Sequence, residues 1–497
     1  MKLGELVRGA PGEPVGADLL AREITSIVYD SRCVKPGSLF FAIRGEKADG
    51  SDFVEHALER GAAAVASERP APPELAGRWV RVPHARRALA EAARVFWGDP
   101  ASRLQLVGIT GTNGKTTTAF LLHSILQAAG MRPGLFGTVE YRVGGHTLPA
   151  VHTTPESADL LSYFADLVAA GGRAAIMEVS SHALAQERVW GIHFLAAVFT
   201  NLTRDHLDFH KDFESYFAAK RRLFEGVGAP PPELAVLNLD DPWSARLLAL
   251  PQKRHVTYGI SSDAHVKVMN FTQSLTGLRA TLMTPQGRLE IESPLIGRAN
   301  LENILAAVAT AEALGVPAET VRQGIADLKS VPGRFERVSE GQPFLVVVDY
   351  AHTDDALRNA LKTARELTRH RLIVVFGCGG DRDRAKRPLM GEVAGSLGDL
   401  AVLTSDNPRT EDPIRIMNDA IVGLQRANKP YLTEVDRRAA IRKALVEAGD
   451  GDVVLIAGKG HEIYQVLKDE VIPFDDREVA RQVLREMARG GNNEDTH

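Results

Sequence analysis

The stretch Val107-Gly-Ile-Thr-Gly-Thr-Asn-Gly-Lys-Thr-Thr117 carries the residue types that hold a triphosphate. Gly111 and Gly114 let the backbone turn its N–H groups inward, toward an anion. The helix expected next points its positive end at the same place. Lys115 can reach the outer phosphates, and the Thr116 hydroxyl can bind Mg²⁺. The strict pattern G-x-x-x-x-G-K-[ST] has glycine where this chain has Ile109.

Three polar clusters follow: Thr153-Thr154-Pro155, Glu178-Val-Ser180-Ser181-His182 and Asn201-Leu-Thr-Arg204-Asp205-His206. Mg²⁺ prefers oxygen and binds through one or two carboxylates plus phosphate. Thr116, Glu178 and bridging phosphate oxygens are therefore expected to hold one Mg²⁺, with His206 serving at a second. A histidine taken alone is more often structural, but Asp205-His206 beside a phosphate loop favours the functional role. Lys220, in Tyr216-Phe-Ala-Ala-Lys220-Arg-Arg-Leu, reads by spacing as a solvated helix lysine. A lysine facing a metal site would instead react with CO₂ to form a carbamate, a metal-binding anion. The residues alone leave that choice open.

The last third holds four more clusters: Asp349-Tyr-Ala-His352, Gly377-Cys-Gly-Gly-Asp381-Arg382-Asp383, Asp406-Asn407-Pro408-Arg409 and Gly458-Lys459-Gly460-His461-Glu462. Arg382 and Arg409 can each grip a carboxylate with a two-pronged guanidinium. Asp406 and Glu462 can hold an ammonium group. Asp349 and His352 can contact ribose or adenine.

These groups need elements to position them. Residues 104–109 read as a buried strand and 116–129 as a helix, by apolar spacing. Strands at 174–177, 197–199 and 234–239 alternate with helices, the pattern of a parallel sheet. Glu178 and His206 each stand just past a strand expected to flank the nucleotide strand. Residues 263–295 alternate around Thr276-Gly277 and Gln286-Gly287, which predicts an antiparallel addition. Before residue 104, four short strands and two helices form a small α/β unit. After Val331-Pro-Gly-Arg334 the alternation restarts, with strands at 345–348, 372–376, 400–404 and 453–457. The expected domains are 1–103, 104–333 and 334–497. In such sheets ligands gather at the carboxyl ends of strands, where the polar clusters fall.

Composition excludes several classes. The 497 residues suit about three domains. With 44% apolar and 25% charged residues the chain is globular rather than disordered. A net charge of −4 gives no reason to expect nucleic acid or an anionic membrane. Cys33 and Cys378 cannot build a disulfide framework. No apolar run approaches the ~20 residues that span a bilayer. A cytoplasmic, monomeric protein is the expectation.

Together, Thr110-Gly-Thr-Asn-Gly-Lys-Thr116, Glu178-Val-Ser-Ser-His182, Asn201 with Asp205-His206, Pro332-Gly-Arg334, Asp349-Tyr-Ala-His352 and Gly458-Lys-Gly-His-Glu462 resemble the Mur ligase family, over nearly the whole chain and in family order. The resemblance implies a three-domain α/β fold: a small N-terminal α/β domain, a central P-loop ATPase domain with a mainly parallel sheet, and a Rossmann-like C-terminal domain. It implies a ligase that uses ATP and Mg²⁺ to add the third peptide residue to UDP-N-acetylmuramoyl-L-alanyl-D-glutamate. Tyr29, Ser31, Glu46, Lys47 and Ala48 would hold the UDP end. Thr153, Thr154, Ser180, Gln186 and Arg188 would bind sugar and peptide. Gly111, Thr112, Asn113, Gly114, Lys115, Thr116 and Thr117 would bind ATP, with Asn303, Arg334, Asp349 and His352 completing that site. Lys220 would be the family's carbamylated lysine. Arg in the Asp406-Asn407-Pro408-Arg409 motif goes with meso-diaminopimelate in this family. Arg382, Asp406, Asn407, Pro408, Arg409, Gly458 and Glu462 would form its pocket.

Overall fold

The computed structural model describes residues 1–8, 15–45 and 48–491, so Glu46 and Lys47 lie outside the described residues. Three α/β units follow one another, each built on its own sheet. The first has four parallel strands in sequential order: Ser26–Val28, Ser38–Phe41, Ala64–Ser67 and Trp79–Arg81. The helix Ala85–Phe96 buries an alanine-rich face (Ala85, Ala88, Ala92, Ala93) together with Leu89. Small residues let this helix approach closely, and it packs against the helix Ser157–Ala169 of the middle unit. One core therefore runs without a break from Leu3 and Leu89 to Phe164 and Phe199.

The middle sheet has eleven strands. Its apolar run Gln105–Thr110 lies at the centre, flanked in parallel by Ala174–Glu178 on one side and Ala196–Phe199 on the other. Ile109 pairs with Glu178, and Thr110 with Phe199. The three strands thus end level, and the clusters that follow them converge on one point, as the sequence implied. The other sheet face is covered by the helices Lys115–Ala128 and Arg298–Ala313, which bury Leu121, Ile125, Leu301 and Leu305. Each such side chain contributes about 1.5–3 kcal/mol by leaving water.

Residues 266–293 form the expected antiparallel addition. A second antiparallel edge, unforeseen, is made by Gly134–Phe136, Glu140–Val143 and His146–Pro149. Its turn is Gly144-Gly145, both at positive φ (57° and 90°), the requirement of a tight two-residue hairpin. Gly-Gly between short alternating runs was the signal available.

The third sheet runs Glu336–Val338, Leu345–Asp349, Val453–Ala457, Leu372–Cys378, Leu400–Ser405, Tyr431–Glu434. All but the first pair in parallel, and helices cover both faces. The four polar clusters of this unit follow the carboxyl ends of its four central strands. Below them lies a fully buried ion pair: Arg437 Nη2 to Asp476 Oδ2 at 2.7 Å, with Arg437 also donating to Ala457 O at 3.0 Å.

Candidate active site

The strand Gln105–Thr110 runs into Gly111, whose φ of 148° and contact with Thr200 leave no space for a Cβ. Gly114, at φ 88°, starts the helix Lys115–Ala128 and lies against Asn303 Oδ1. The loop between them is pinned from the neighbouring strand. Thr112 N donates to Asn201 O at 2.9 Å, and Asn113 N to Asn201 Oδ1 at 2.9 Å. Thr200 Oγ1 donates to Asn113 O at 2.6 Å. Thr117 is buried in the first turn.

Lys115 Nζ turns back onto its own loop, donating to Gly111 O at 2.9 Å and Thr112 O at 2.8 Å. Burial lowers its pKa, against the pull of Glu178 and Asp205. Lys220 reaches the same acceptor from another helix, with Nζ 2.7 Å from Gly111 O and 4.4 Å from the Tyr216 ring centre. It is 2% exposed, so the solvated-lysine reading is corrected. The helix Phe213–Glu225 turns its Lys220 face inward because Tyr216, Phe217, Leu223 and Phe224 are buried on that side. Burial, and then Lys115, drive the Lys220 pKa far below its ordinary value. Burial favours the neutral form of this amine, the form that reacts with CO₂.

Glu178 is buried, and its oxygens are shared out. Oε1 accepts from Thr138 N at 2.8 Å, and Oε2 accepts from Thr138 Oγ1 at 3.0 Å and Thr116 Oγ1 at 3.1 Å. Arg334, from the chain segment between the middle and third sheets, donates to Thr116 Oγ1 at 3.0 Å and lies over the Tyr350 ring at 4.6 Å. Thr116 and Glu178 form an adjacent pair of hard oxygens, the donor type Mg²⁺ takes. Among the described residues no group of three or more His, Cys, Asp or Glu side chains is arranged to hold a metal unaided. This donor set suits a cation that draws its other ligands from phosphate and water.

His206 sits at φ 53°, at the start of the short helix Leu207–His210. Its ring is 3.3 Å from Asp205 Oδ2 and edge-on to His182 at 4.7 Å between centres. Desolvation lowers its pKa against the pull of Asp205, and His182 and Lys220 add to the lowering. Phe335 N donates to Asp349 Oδ2 at 2.7 Å, and burial raises the Asp349 carboxyl against Arg334. His352 Nδ1 lies 3.0 Å from Tyr350 O.

A cavity of about 1260 Å³ joins all three units. On one side Thr153, Ser180, Gln186 and Arg188 line it, His206 and His352 stand in the middle, and Arg382, Asp406, Asn407, Arg409, Gly458 and Glu462 line the other side. Thr154 is not among the lining residues. It is fully buried, its hydroxyl donating to Glu178 O at 2.8 Å and accepting from Ser180 N at 3.1 Å. Its position therefore braces two clusters rather than facing a ligand. Arg188 Nη1 donates to Thr154 O at 3.0 Å. Tyr29, Ser31 and Ala48 stand off this cavity, which ends at Gly45 and Arg86 on the first unit. Tyr29 is tied to Asp159 Oδ2 at 2.6 Å, and Ser31 Oγ lies 3.0 Å from His56 Nδ1.

The third unit's share of the cavity is held by charges beneath it. Lys459, fully buried, donates to Asn407 Oδ1 and Glu462 Oε2, each at 3.1 Å. Asn407 Nδ2 donates to Glu462 Oε2 at 2.9 Å. Arg437 and Lys459 hold the buried Asp406 carboxyl below its usual range, against the desolvation that raises it. Arg409 Nη1 donates to Gly380 O at 2.7 Å. Pro408 does not line the cavity; its carbonyl lies against Gly380.

Sequence reasoning missed several lining groups and named Arg204 only as part of a polar cluster. Arg86 pairs with the buried Glu156 at 2.5 Å, Arg204 reaches Asp383 of the third unit at 3.4 Å, and Lys386 donates to His352 O at 2.9 Å. Arg86 and Lys386 lie on helices, where a cation at an exposed-looking position reads as solvated. Thr138 carried no signal, since the strand before it was not foreseen.

Comparison with known proteins places the chain. Residues 23–97 match the model of the Mur ligase family catalytic domain, 109–311 the Mur ligase middle domain, and 333–460 the Mur ligase glutamate ligase domain. A UDP-N-acetylmuramoyl-L-alanyl-D-glutamate--2,6-diaminopimelate ligase of Solibacter usitatus is 58% identical, over 98% of each chain. One of the same description from Geobacter metallireducens is 46% identical, over 99% of this chain and 100% of its own. A solved structure of that description has a TM-score of 0.68 at 34% identity, covering 98% of this chain and 99% of the other. The chain belongs to the Mur ligase family.

Proposed function

We propose that this protein is an ATP-dependent ligase of peptidoglycan precursor synthesis. It joins an amine of meso-2,6-diaminopimelate to the D-glutamyl γ-carboxylate of UDP-N-acetylmuramoyl-L-alanyl-D-glutamate. The relatives that match it end to end bear that description. The observation that carries the reading is the single cavity leading from Gln186 and Arg188, past His206, to Arg382, Arg409 and Glu462. An acid and an amine entering from opposite sides would meet at Asp205 and His206, within electrostatic reach of Lys115.

The γ-carboxylate attacks the γ-phosphorus of ATP, the bond to the bridging oxygen breaks, and ADP leaves. The neutral amine then attacks the acyl carbon, the C–O bond to phosphate breaks, inorganic phosphate leaves, and the amine proton passes to the departing phosphate or to water. Phosphoryl transfer depends on positioning and charge neutralisation. Lys115 would exchange its bonds to Gly111 O and Thr112 O for the transferring phosphate. Asn303, Arg334, Asp349 and His352 would frame the rest of the nucleotide. A bound Mg²⁺ would neutralise phosphate charge, and Thr116, Glu178, His206 and a Lys220 carbamate are the residues to hold it. The carbamate forms when the neutral Lys220 amine attacks CO₂ and loses a proton. Tyr29, Ser31 and Ala48 would contact the UDP end outside the large cavity. Arg409 and Arg382 would take the second carboxylate of diaminopimelate, while Asp406 and Glu462 face its ammonium. A guanidinium at that place repels the ammonium tail of lysine, which discriminates between the two amino acids. Substrates of this kind put the enzyme in the cytoplasm.

The test is continuous phosphate release with the three substrates added singly and together. Release only when all three are present supports the ligase reading, and lysine replacing diaminopimelate at equal efficiency would reject the pocket assignment. Release from ATP alone, unchanged by the other two, would reject the ligase.

A further inference from the structure

A second cavity, of about 380 Å³, lies away from the first, against the far half of the phosphate-loop helix. His123 and Gln127 reach it from that helix, two to three turns past Lys115, about 12–18 Å along the axis at 1.5 Å per residue. Arg132, Arg142, His146 and Thr147 complete its polar lining, and no carboxylate of the described residues lines it. The reaction proposed above needs nothing from these groups.

The two guanidiniums are differently held. Arg132 makes no hydrogen bond or ion pair among the described residues, and stands at φ 50°. Arg142 lies over the Phe120 ring at 5.0 Å, which fixes its plane, and its Nε donates to Glu140 Oε1 at 2.6 Å. Neither Nη of Arg142 has a hydrogen-bond partner among the described residues. His123 is nine-tenths buried and bonds the backbone of Pro133. Two arginines, two histidines and a glutamine around a small cavity without acids are the donor set that planar, multidentate anion binding uses.

The cavity is wired to the large one. Glu140, the partner of Arg142, lines the large cavity. Tyr141 between them holds the loop ahead of Thr153: its hydroxyl donates to His152 O at 2.5 Å and accepts from His152 N at 3.0 Å. An anion that draws Arg142 toward itself releases Glu140 as an unpaired negative charge into the wall beside Thr138, the residue that holds Glu178.

We propose that this second cavity is a regulatory site for a small phosphate anion, read out through the Arg142–Glu140 pair as weaker binding at the nucleotide site. The shared chemistry is a phosphate dianion, and its sources are the inorganic phosphate the reaction releases or a phosphate monoester. The first source rests on the function proposed above; the binding site does not.

The experiment is equilibrium dialysis of radiolabelled orthophosphate, and separately of AMP, against the full-length protein saturated with a non-hydrolysable ATP analogue. One site per chain is expected, at least ten-fold weaker in Arg132→Ser and in Arg142→Ser, and unchanged in Lys115→Met. Orthophosphate as the tighter probe identifies a product site, and AMP identifies an ester effector. Binding that Lys115→Met removes, or that both arginine variants leave intact, overturns the site. The coupling is measured as the analogue's dissociation constant with and without saturating orthophosphate. At least a three-fold rise is expected in the parent protein and none in Glu140→Gln. An equal rise in both overturns the coupling route. None of these readouts depends on catalysis.

Discussion

Lys115 and Lys220 both donate to one carbonyl, that of Gly111. Two protonated amines cannot share a buried acceptor cheaply, so the site favours one cation and one neutral amine, and the fully enclosed Lys220 is the one driven furthest down. Lys115→Ala is expected to lower ligation by about 10³-fold or more, the scale of losing a preorganised charge donor. Its melting temperature should stay within about 4 °C of the parent, since a cation buried at a cost is removed. Undiminished turnover would take the phosphate loop out of the mechanism. Arg409→Ala is expected to raise the diaminopimelate KM by about 10- to 100-fold, the loss of a charge-assisted bond. The ATP KM should change less than about two-fold, because Arg409 lines the far side of the cavity. Equal rises in both would place Arg409 elsewhere.

At the scale of elements, parallel strands that end level do most of the positioning. Gln105–Thr110, Ala174–Glu178 and Ala196–Phe199 bring a lysine, a glutamate and a histidine together from positions 115, 178 and 206. In the third unit the helices Arg437–Glu447 and Asp476–Gly491 pack on one face of the sheet and are locked by Arg437 and Asp476. Asp476→Asn leaves a buried guanidinium without its counter-charge, and about 3–5 kcal/mol of stability should be lost in denaturant unfolding. The diaminopimelate KM should rise as well, because Arg437, which lies beneath Asp406, loses the partner that fixes its guanidinium in place. A loss under about 1 kcal/mol would mean that water reaches the pair.

At the scale of the molecule, contacts between units converge on the glycine-rich loop and helix start, residues 111–116. Asn113 Nδ2 donates to Asp355 Oδ2 at 3.1 Å, and Arg334 joins the loop to the third unit. Glu302, one residue before Asn303, belongs to this junction. Burial pushes its carboxyl up to about 7; Arg298 opposes this, while Asp240, Asp241 and Asp355 add to it. Between the ordinary value of 4.5 and about 7 the folded protein binds more protons than the unfolded chain. Stability should therefore fall as pH rises through that window. The side chain is about one-third exposed, so water screens the effect to roughly 1 kcal/mol. Glu302→Gln should flatten that part of the stability profile. A profile unchanged by the substitution would assign the pH dependence to another group.

Much was legible in the sequence because the relevant signals are local. Glycines before Lys-Thr, apolar runs of strand length and polar clusters behind them specify a phosphate loop and parallel sheets, since backbone sterics and strand period act over a few residues. The motifs named the chemistry for the same reason. Only the tertiary structure decided which groups face one another. It buried Lys220 against Gly111, removed Thr154 from the cavity wall to brace Glu178 and Ser180, and set Arg86, Thr138 and Arg204 in that wall. It also separated Arg132 and Arg142 into a cavity of their own. Those outcomes depend on strand order and on helices packing across units, contacts between residues tens to hundreds of positions apart, which no local pattern encodes.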